Sequence, residues 1–167
     1  MTARVVLIGY GNPSRGDDAL GPALLACAQV WLAEHPAVDV RLVEDFQLQV
    51  EHGLDVAESD LALFIDADVL GPAPFSLRRV FAARDSTYST HELSPEAVLH
   101  VAQQVTGRAA PPAWLFGVRG VKFVLGETLS AAAAGHLEAA WVELQQLLAD
   151  PRPEAWDART TRRSARE

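Results

Sequence analysis

Three loops that follow apolar runs in this chain carry side chains able to bind a metal or move a proton. Asp17 and Asp18 lie past Val5-Val6-Leu7-Ile8 and its Gly9-Tyr10-Gly11-Asn12-Pro13 turn. Asp66 and Asp68 close the run Leu61-Ala62-Leu63-Phe64-Ile65, and Ser89-Thr90-His91-Glu92 comes after the weaker run Ser76 to Ala82. Two carboxylates and one imidazole form a mixed oxygen and nitrogen donor set, which suits a borderline divalent ion such as zinc or nickel better than magnesium or calcium. With only three protein ligands, positions stay open for water or a substrate group, as in a working site rather than a structural one.

Each of these residues also has an ordinary role to be weighed. Asp17 or Asp18 can cap the helix that follows, although Gly21-Pro22 offers a competing start that leaves Asp18 free in the loop. Asp66 ends an apolar strand, where a carboxylate is costly to bury unless it is paired or metal-bound. Asp68 reads equally well as a turn residue. His91 by itself is an ordinary loop histidine, His35 is placed to complement a helix C-terminus, and His100 and His136 read as surface histidines on helices. Cys27 falls between Leu24 and Trp31 on an apolar stripe and is expected to be a small buried hydrophobe rather than a nucleophile.

The elements that must position these groups alternate. Val5 to Ile8 reads as a buried strand, and Leu20, Leu24, Cys27 and Trp31 recur at helical spacing. Val38 to Val43 reads as a second strand, Val50 to Ala57 as a short helix, and Leu61 to Ile65 as a strand apolar on both faces, as in the centre of a parallel sheet. Ser76 to Ala82 is an edge strand marked by Arg78 and Arg79. Ser94-Pro95 is an N-cap and first-turn signal for a helix ending at Gly107; Trp114 to Val118 is a strand; and Ser130 opens a last helix with Leu137, Trp141, Leu144 and Leu148 on its stripe. The pattern predicts an α/β fold, a single-domain three-layer sandwich. Its mostly parallel central sheet has about five strands flanked by helices, with one edge strand open to antiparallel pairing. Ligands of such sheets bind beyond the carboxyl ends of the strands, where the aspartates stand.

Composition limits the alternatives. The 167 residues carry a net charge of −8 with a single cysteine, so no internal disulfide forms, and a domain of this size builds a core without staples. The domain is expected to span 1–150, with 19 acidic against 9 basic residues. Residues 151–167 are expected to be a solvated, Arg-rich, flexible tail, with Pro and Arg density after Asp150 marking the end of the fold. An acidic body argues against nucleic acid and anionic membrane as partners. No signal segment is evident and no run approaches the ~20 apolar residues of a bilayer span, so a cytoplasmic, monomeric protein is expected.

Several motifs fail. A dinucleotide fingerprint needs a third glycine where Ser14 stands, and Walker A, G-x-S-x-G and paired C-x-x-C patterns are absent. No organic cofactor is expected. Asp66-Ala67-Asp68 resembles the aspartyl pair of haloacid-dehalogenase-like, magnesium-dependent phosphatases, but that pair normally follows the first strand, and Lys122 would have to serve as the supporting lysine.

The segment Val6-Leu7-Ile8-Gly9-Tyr10-Gly11-Asn12-Pro13-Ser14-Arg15-Gly16-Asp17-Asp18-Ala19-Leu20-Gly21, followed in order by Leu63-Phe64-Ile65-Asp66-Ala67 and Ser89-Thr90-His91-Glu92-Leu93, resembles the nickel-iron hydrogenase maturation proteases. The likeness covers residues 4–149. It implies an aspartic-type endopeptidase that removes the C-terminal extension of the hydrogenase large-subunit precursor. The metal-contacting positions carried over are Asp18, Asp66 and His91, with Asp66 and Asp18 as the catalytic carboxylates. Nickel would be supplied by the substrate. A non-catalytic metal-checking chaperone of the same precursor is the alternative. One departure concerns the loop after the second strand, Glu44-Asp45-Phe46-Gln47-Leu48-Gln49-Val50-Glu51-His52, where many members have a Gly-rich Asp-Gly-Gly-Thr type loop. This departure resembles the branch serving soluble or bidirectional NAD-coupled hydrogenases. An exposed Phe46 or Leu48 would mark a contact surface, although such residues are more often buried under a neighbouring helix.

Overall fold

The structure is a computed structural model that describes residues 2–84 and 92–161. Five strands form one sheet: β1 (Val5–Tyr10), β2 (Val40–Asp45), β3 (Leu61–Asp68), β4 (Phe75–Val80) and β5 (Ala113–Arg119). Their spatial order is β2-β1-β3-β5-β4. All neighbours run parallel except β4, which pairs antiparallel with β5 at the edge. The mostly parallel α/β sheet predicted from the apolar runs is the one observed, including its antiparallel edge.

Side chains alternate across the sheet and divide the core in two. Val5 and Leu7 of β1, Leu63 and Ile65 of β3, and Trp114 and Phe116 of β5 face α1 (Leu20–Ala33) and α4 (Ala131–Ala149). Val6, Ile8, Ala62 and Phe64 face α2 (His52–Ala57) and α3 (Pro95–Thr106). Strands buried on both faces are what a central parallel sheet requires.

The helix signals in the sequence hold at most ends. The Ser94 hydroxyl accepts from the Ala97 amide at 3.1 Å, Pro95 opens α3, and Gly107 closes it with φ 67°. Ser130 caps α4 through the Ala133 amide. Two expectations are corrected. The buried stripe of α1 is Leu20, Gly21, Leu24, Leu25 and Ala28, and Cys27 is half-buried beside it. The reason is the close approach of α1 to the sheet, which turns the face carrying positions 21, 25 and 28 inward.

The second correction concerns the C-terminal segment. Residues Pro153–Ala158 form a further helix, α5, whose Trp156 is 0% exposed. Its indole packs edge-on against Trp114 at 4.9 Å and donates to the Leu147 carbonyl at 2.9 Å. Leu77 of the edge strand donates its amide to the Thr161 hydroxyl and accepts from the Thr161 amide. The fold therefore extends through residue 161; Arg162, Arg163 and Arg166 lie outside the described residues. No helix among the described residues is long and apolar enough to cross a membrane.

Candidate functional site

The chain passes from β1 through α1 to β2 on one side and reaches β3 and β5 on the other, so the direction of winding reverses between β1 and β3. At such a point the loops leaving adjacent strand ends part and open a crevice at their carboxyl ends. Asp66 stands near the end of β3. From β1 the chain turns at Gly11, with φ 142°, where an added Cβ would lie 2.1 Å from the Asp18 carbonyl oxygen. This turn leads to a single 3₁₀ turn, Gly16–Ala19, which carries both Asp17 and Asp18 ahead of α1.

The two adjacent aspartates have separate roles. Asp17 is fully buried, and its carboxylate accepts from the amides of Val121 (2.7 Å), Lys122 (2.9 Å) and Ser130 (2.7 Å) and from the Ser130 hydroxyl (2.8 Å). It ties the 3₁₀ turn to the segment between β5 and α4 and caps no helix of its own. Burial pushes its pKa up, but the bonds from Lys122, Ser130 and Val121 outweigh this and hold it below the ordinary value. Asp18 is half-buried, accepts from the Asn12 amide at 2.7 Å, and its negative charge acts on Asp66.

Asp66 is raised to about 7, first by burial, then by the negative charge of Asp18, with Glu92 adding to it. The amide of Ala67 and the hydroxyl of Tyr10 hydrogen-bond the carboxylate and offset part of the rise. A buried carboxyl raised by a neighbouring carboxylate, with no basic side chain acting on it among the described residues, is a site for a retained proton or an arriving cation. Asp68 does not join them: its Oδ1 accepts from the amides of Leu70 (3.1 Å) and Gly71 (2.9 Å), so it is a turn residue. His91, the imidazole of the expected set, lies outside the described residues. Among the described residues, no three His, Cys, Asp or Glu side chains are grouped to hold a metal ion.

Beside the crevice the loop after β2 separates its two apolar residues: Phe46 is 67% exposed and Leu48 is 2% exposed. Sequence reasoning left both open. It missed His52, which is buried; its Nδ1 accepts from the Gln49 amide at 2.8 Å and its Nε2 faces Asp45 at 3.3 Å. That bond fixes the neutral tautomer with the proton on Nε2 and pins the loop at both ends. A cavity of about 230 Å³ lies between this loop and the β1 turn, lined by Gly11, Pro13, Glu44, Asp45 and Phe46. Tyr10 was also missed, and its only signal was a polar-tipped aromatic at the end of an apolar strand.

No protein-family model matches the chain, and no curated protein matches it in sequence. Solved structures do. A [NiFe] hydrogenase maturation protease HycI from Thermococcus kodakarensis KOD1 is similar with a TM-score of 0.66 and 26% identity over 89% of this chain and 94% of that one. The hydrogenase maturating endopeptidase HybD from E. coli is similar in fold at 0.63 and 21% identity, over 89% and 93%. HybD from Thermococcus kodakarensis gives 0.55 and 18%, over 87% and 99%. The structural neighbours of this chain are hydrogenase maturation proteases, and their fold spans nearly its whole length.

Proposed function

We propose that the protein is an endopeptidase that removes the C-terminal extension of a nickel-loaded [NiFe]-hydrogenase large-subunit precursor. The observation that carries this reading is the Asp18–Asp66 carboxylate pair at the β1/β3 crevice of a fold shared with the HycI and HybD proteases. In this reading Asp18, Asp66 and His91 complete the coordination of the nickel that the precursor already carries, so the substrate's own metal is the recognition determinant. That ion supplies Lewis acidity at the cleavage-site carbonyl when the precursor is docked. Asp66 is the general base that takes a proton from the attacking water. A carboxyl titrating near neutrality is well matched to that task, since it is a stronger base than an ordinary aspartate and is still free to accept.

The Phe46 loop and its adjoining cavity supply the contact that selects the large subunit, and its departure from a Gly-rich loop fits a soluble, NAD-coupled hydrogenase as target. The protein acts as a cytoplasmic monomer with no organic cofactor. Asp66→Ala and His91→Ala should leave the nickel-loaded precursor uncut while their circular dichroism stays that of the wild type. Normal processing by both variants would remove the assignment. A stable complex with no truncated product from the wild type would favour a metal-checking chaperone. Hydrolysis of a phosphate ester in magnesium would favour the phosphatase.

A further inference from the structure

Asp66 has an asymmetric setting on the sheet. Its partner on β5 is Gly117, which offers no side chain. On β1 the register pairs Gly9 with Ile65, so one residue further along each strand Tyr10 stands beside Asp66. Both alternate onto the face covered by α2 and α3, where the Tyr10 ring packs against the core cluster containing Ile8 and Phe64. At the register position itself β5 offers Asp66 no side chain, whereas β1 offers Tyr10. The Tyr10 hydroxyl has one proton to give, and the carboxylate that acts on it is Asp66. The other charges acting on Tyr10 are Glu96 and Arg78, which pair with one another at 3.1 Å.

We propose that Tyr10 is the positioning residue for Asp66: its hydroxyl, carried on a ring fixed in the core, holds the carboxylate in one orientation opposite Asp18. The inference rests on the peptidase reading and names a residue that acts through Asp66 without touching substrate. On the β5 side the space over Gly117 is taken by the Asp68 carboxylate and the Ser76 hydroxyl, so the side-chain donor that, with the Ala67 amide, orients the Asp66 carboxylate comes from β1. Partners of this kind typically govern roughly 10- to 100-fold in affinity or activity of the group they orient.

The test has two arms on the full chain. In steady-state cleavage of nickel-loaded precursor, Tyr10→Phe keeps the ring and loses the donor; kcat should fall by about 10- to 100-fold while KM stays within about twofold. In the second arm, tyrosine is labelled with ¹³C. The sequence has two tyrosines, Tyr10 and Tyr88, so a Tyr88→Phe background leaves one signal. Asp66→Asn should shift that signal, because the acceptor of the phenol has changed. This arm keeps the ring in place and does not depend on how Tyr10→Phe folds. Wild-type cleavage with an undiminished kcat in Tyr10→Phe overturns the proposal, as does a Tyr10 resonance that ignores Asp66→Asn. Failure of the wild type to cut nickel-loaded precursor counts against the peptidase reading instead, and the resonance then decides the Tyr10–Asp66 contact alone.

Discussion

Asp17 gathers three main-chain amides and a hydroxyl around its carboxylate, whereas Asp66 gathers one amide and one phenol and faces a second negative charge. The consequences for stability have opposite signs. Asp17 titrates below its unfolded value of about 3.9, so its contribution is present above about pH 4 and is lost as the pH falls further. Asp66 titrates at about 7, above its unfolded value, so it penalises the folded state increasingly from about pH 4 and fully above neutrality. In urea unfolding of metal-free protein, Asp66→Asn should match the wild type most closely near pH 4 and exceed it by the full margin above about pH 7. Asp17→Asn should be weaker than the wild type at neutral pH, by about 3 kcal/mol, and the deficit should shrink in acid. An Asp66→Asn advantage that does not change with pH would mean that Asp66 ionises like an exposed carboxyl. Under the proposed peptidase reading, a site carboxylate that destabilises its own fold is a common cost of function.

At the scale of elements, the crevice depends on how closely α1 approaches the sheet. An added Cβ on Gly21 would lie 2.7 Å from the Tyr10 carbonyl oxygen and 2.8 Å from that of Ile65, and one on Gly9 would meet Leu25 at 2.6 Å. Two glycines facing one another let the start of α1 rest on the ends of β1 and β3, which holds Asp18 near Asp66. Gly21→Ala should therefore push the helix outward, lowering stability by about 1–3 kcal/mol and precursor cleavage by more than that loss explains, because the carboxylates separate. Thermal unfolding and cleavage at a temperature well below the midpoint separate the two effects. Cleavage unchanged at that temperature would show that the approach of α1 does not set the site.

This contact also shows what the sequence could and could not disclose. Strands apolar on both faces, the Ser94-Pro95 and Ser130 caps and the αL Gly107 are local patterns, and each was legible. The inward face of α1 was not, because it is set by Gly9 and Gly21 across the layer rather than by the recurrence of Leu20, Leu24, Cys27 and Trp31. Asp17 could not be separated from Asp18, since its partners lie 104 to 113 residues further on. The place of Asp66 near the end of a buried strand was legible because an acid closing an apolar run is conspicuous by itself. Tyr10 was not, because the contact that matters runs between strands.

For the molecule as a whole, the C-terminal segment belongs to the fold. Its composition, rich in Arg and Pro, conceals a single anchoring residue. Trp156 fills the layer between α4 and the β5 end of the sheet, and Asp157 beside it accepts from the Trp114 indole at 3.0 Å and from Arg79 at 2.9 Å. Arg79 in turn lies over the Trp114 ring at 4.6 Å, so helix α5 closes the antiparallel edge through packing, charge and hydrogen bonding together. Trp156→Ala should cost about 3–5 kcal/mol and lower the thermal midpoint by roughly 10 °C. Glu154→Ala, on the exposed face of the same helix, should stay within about 0.5 kcal/mol of the wild type. Trp156 belongs to the core on the α1 and α4 side of the sheet, and Asp66 faces the α2 and α3 side. Below its own midpoint the Trp156→Ala protein should therefore cleave precursor at close to the wild-type kcat. A neutral Trp156→Ala would return residues 151–161 to the status of a tail, whereas a loss of kcat without loss of stability would mean that the C-terminal segment acts on the crevice through the sheet.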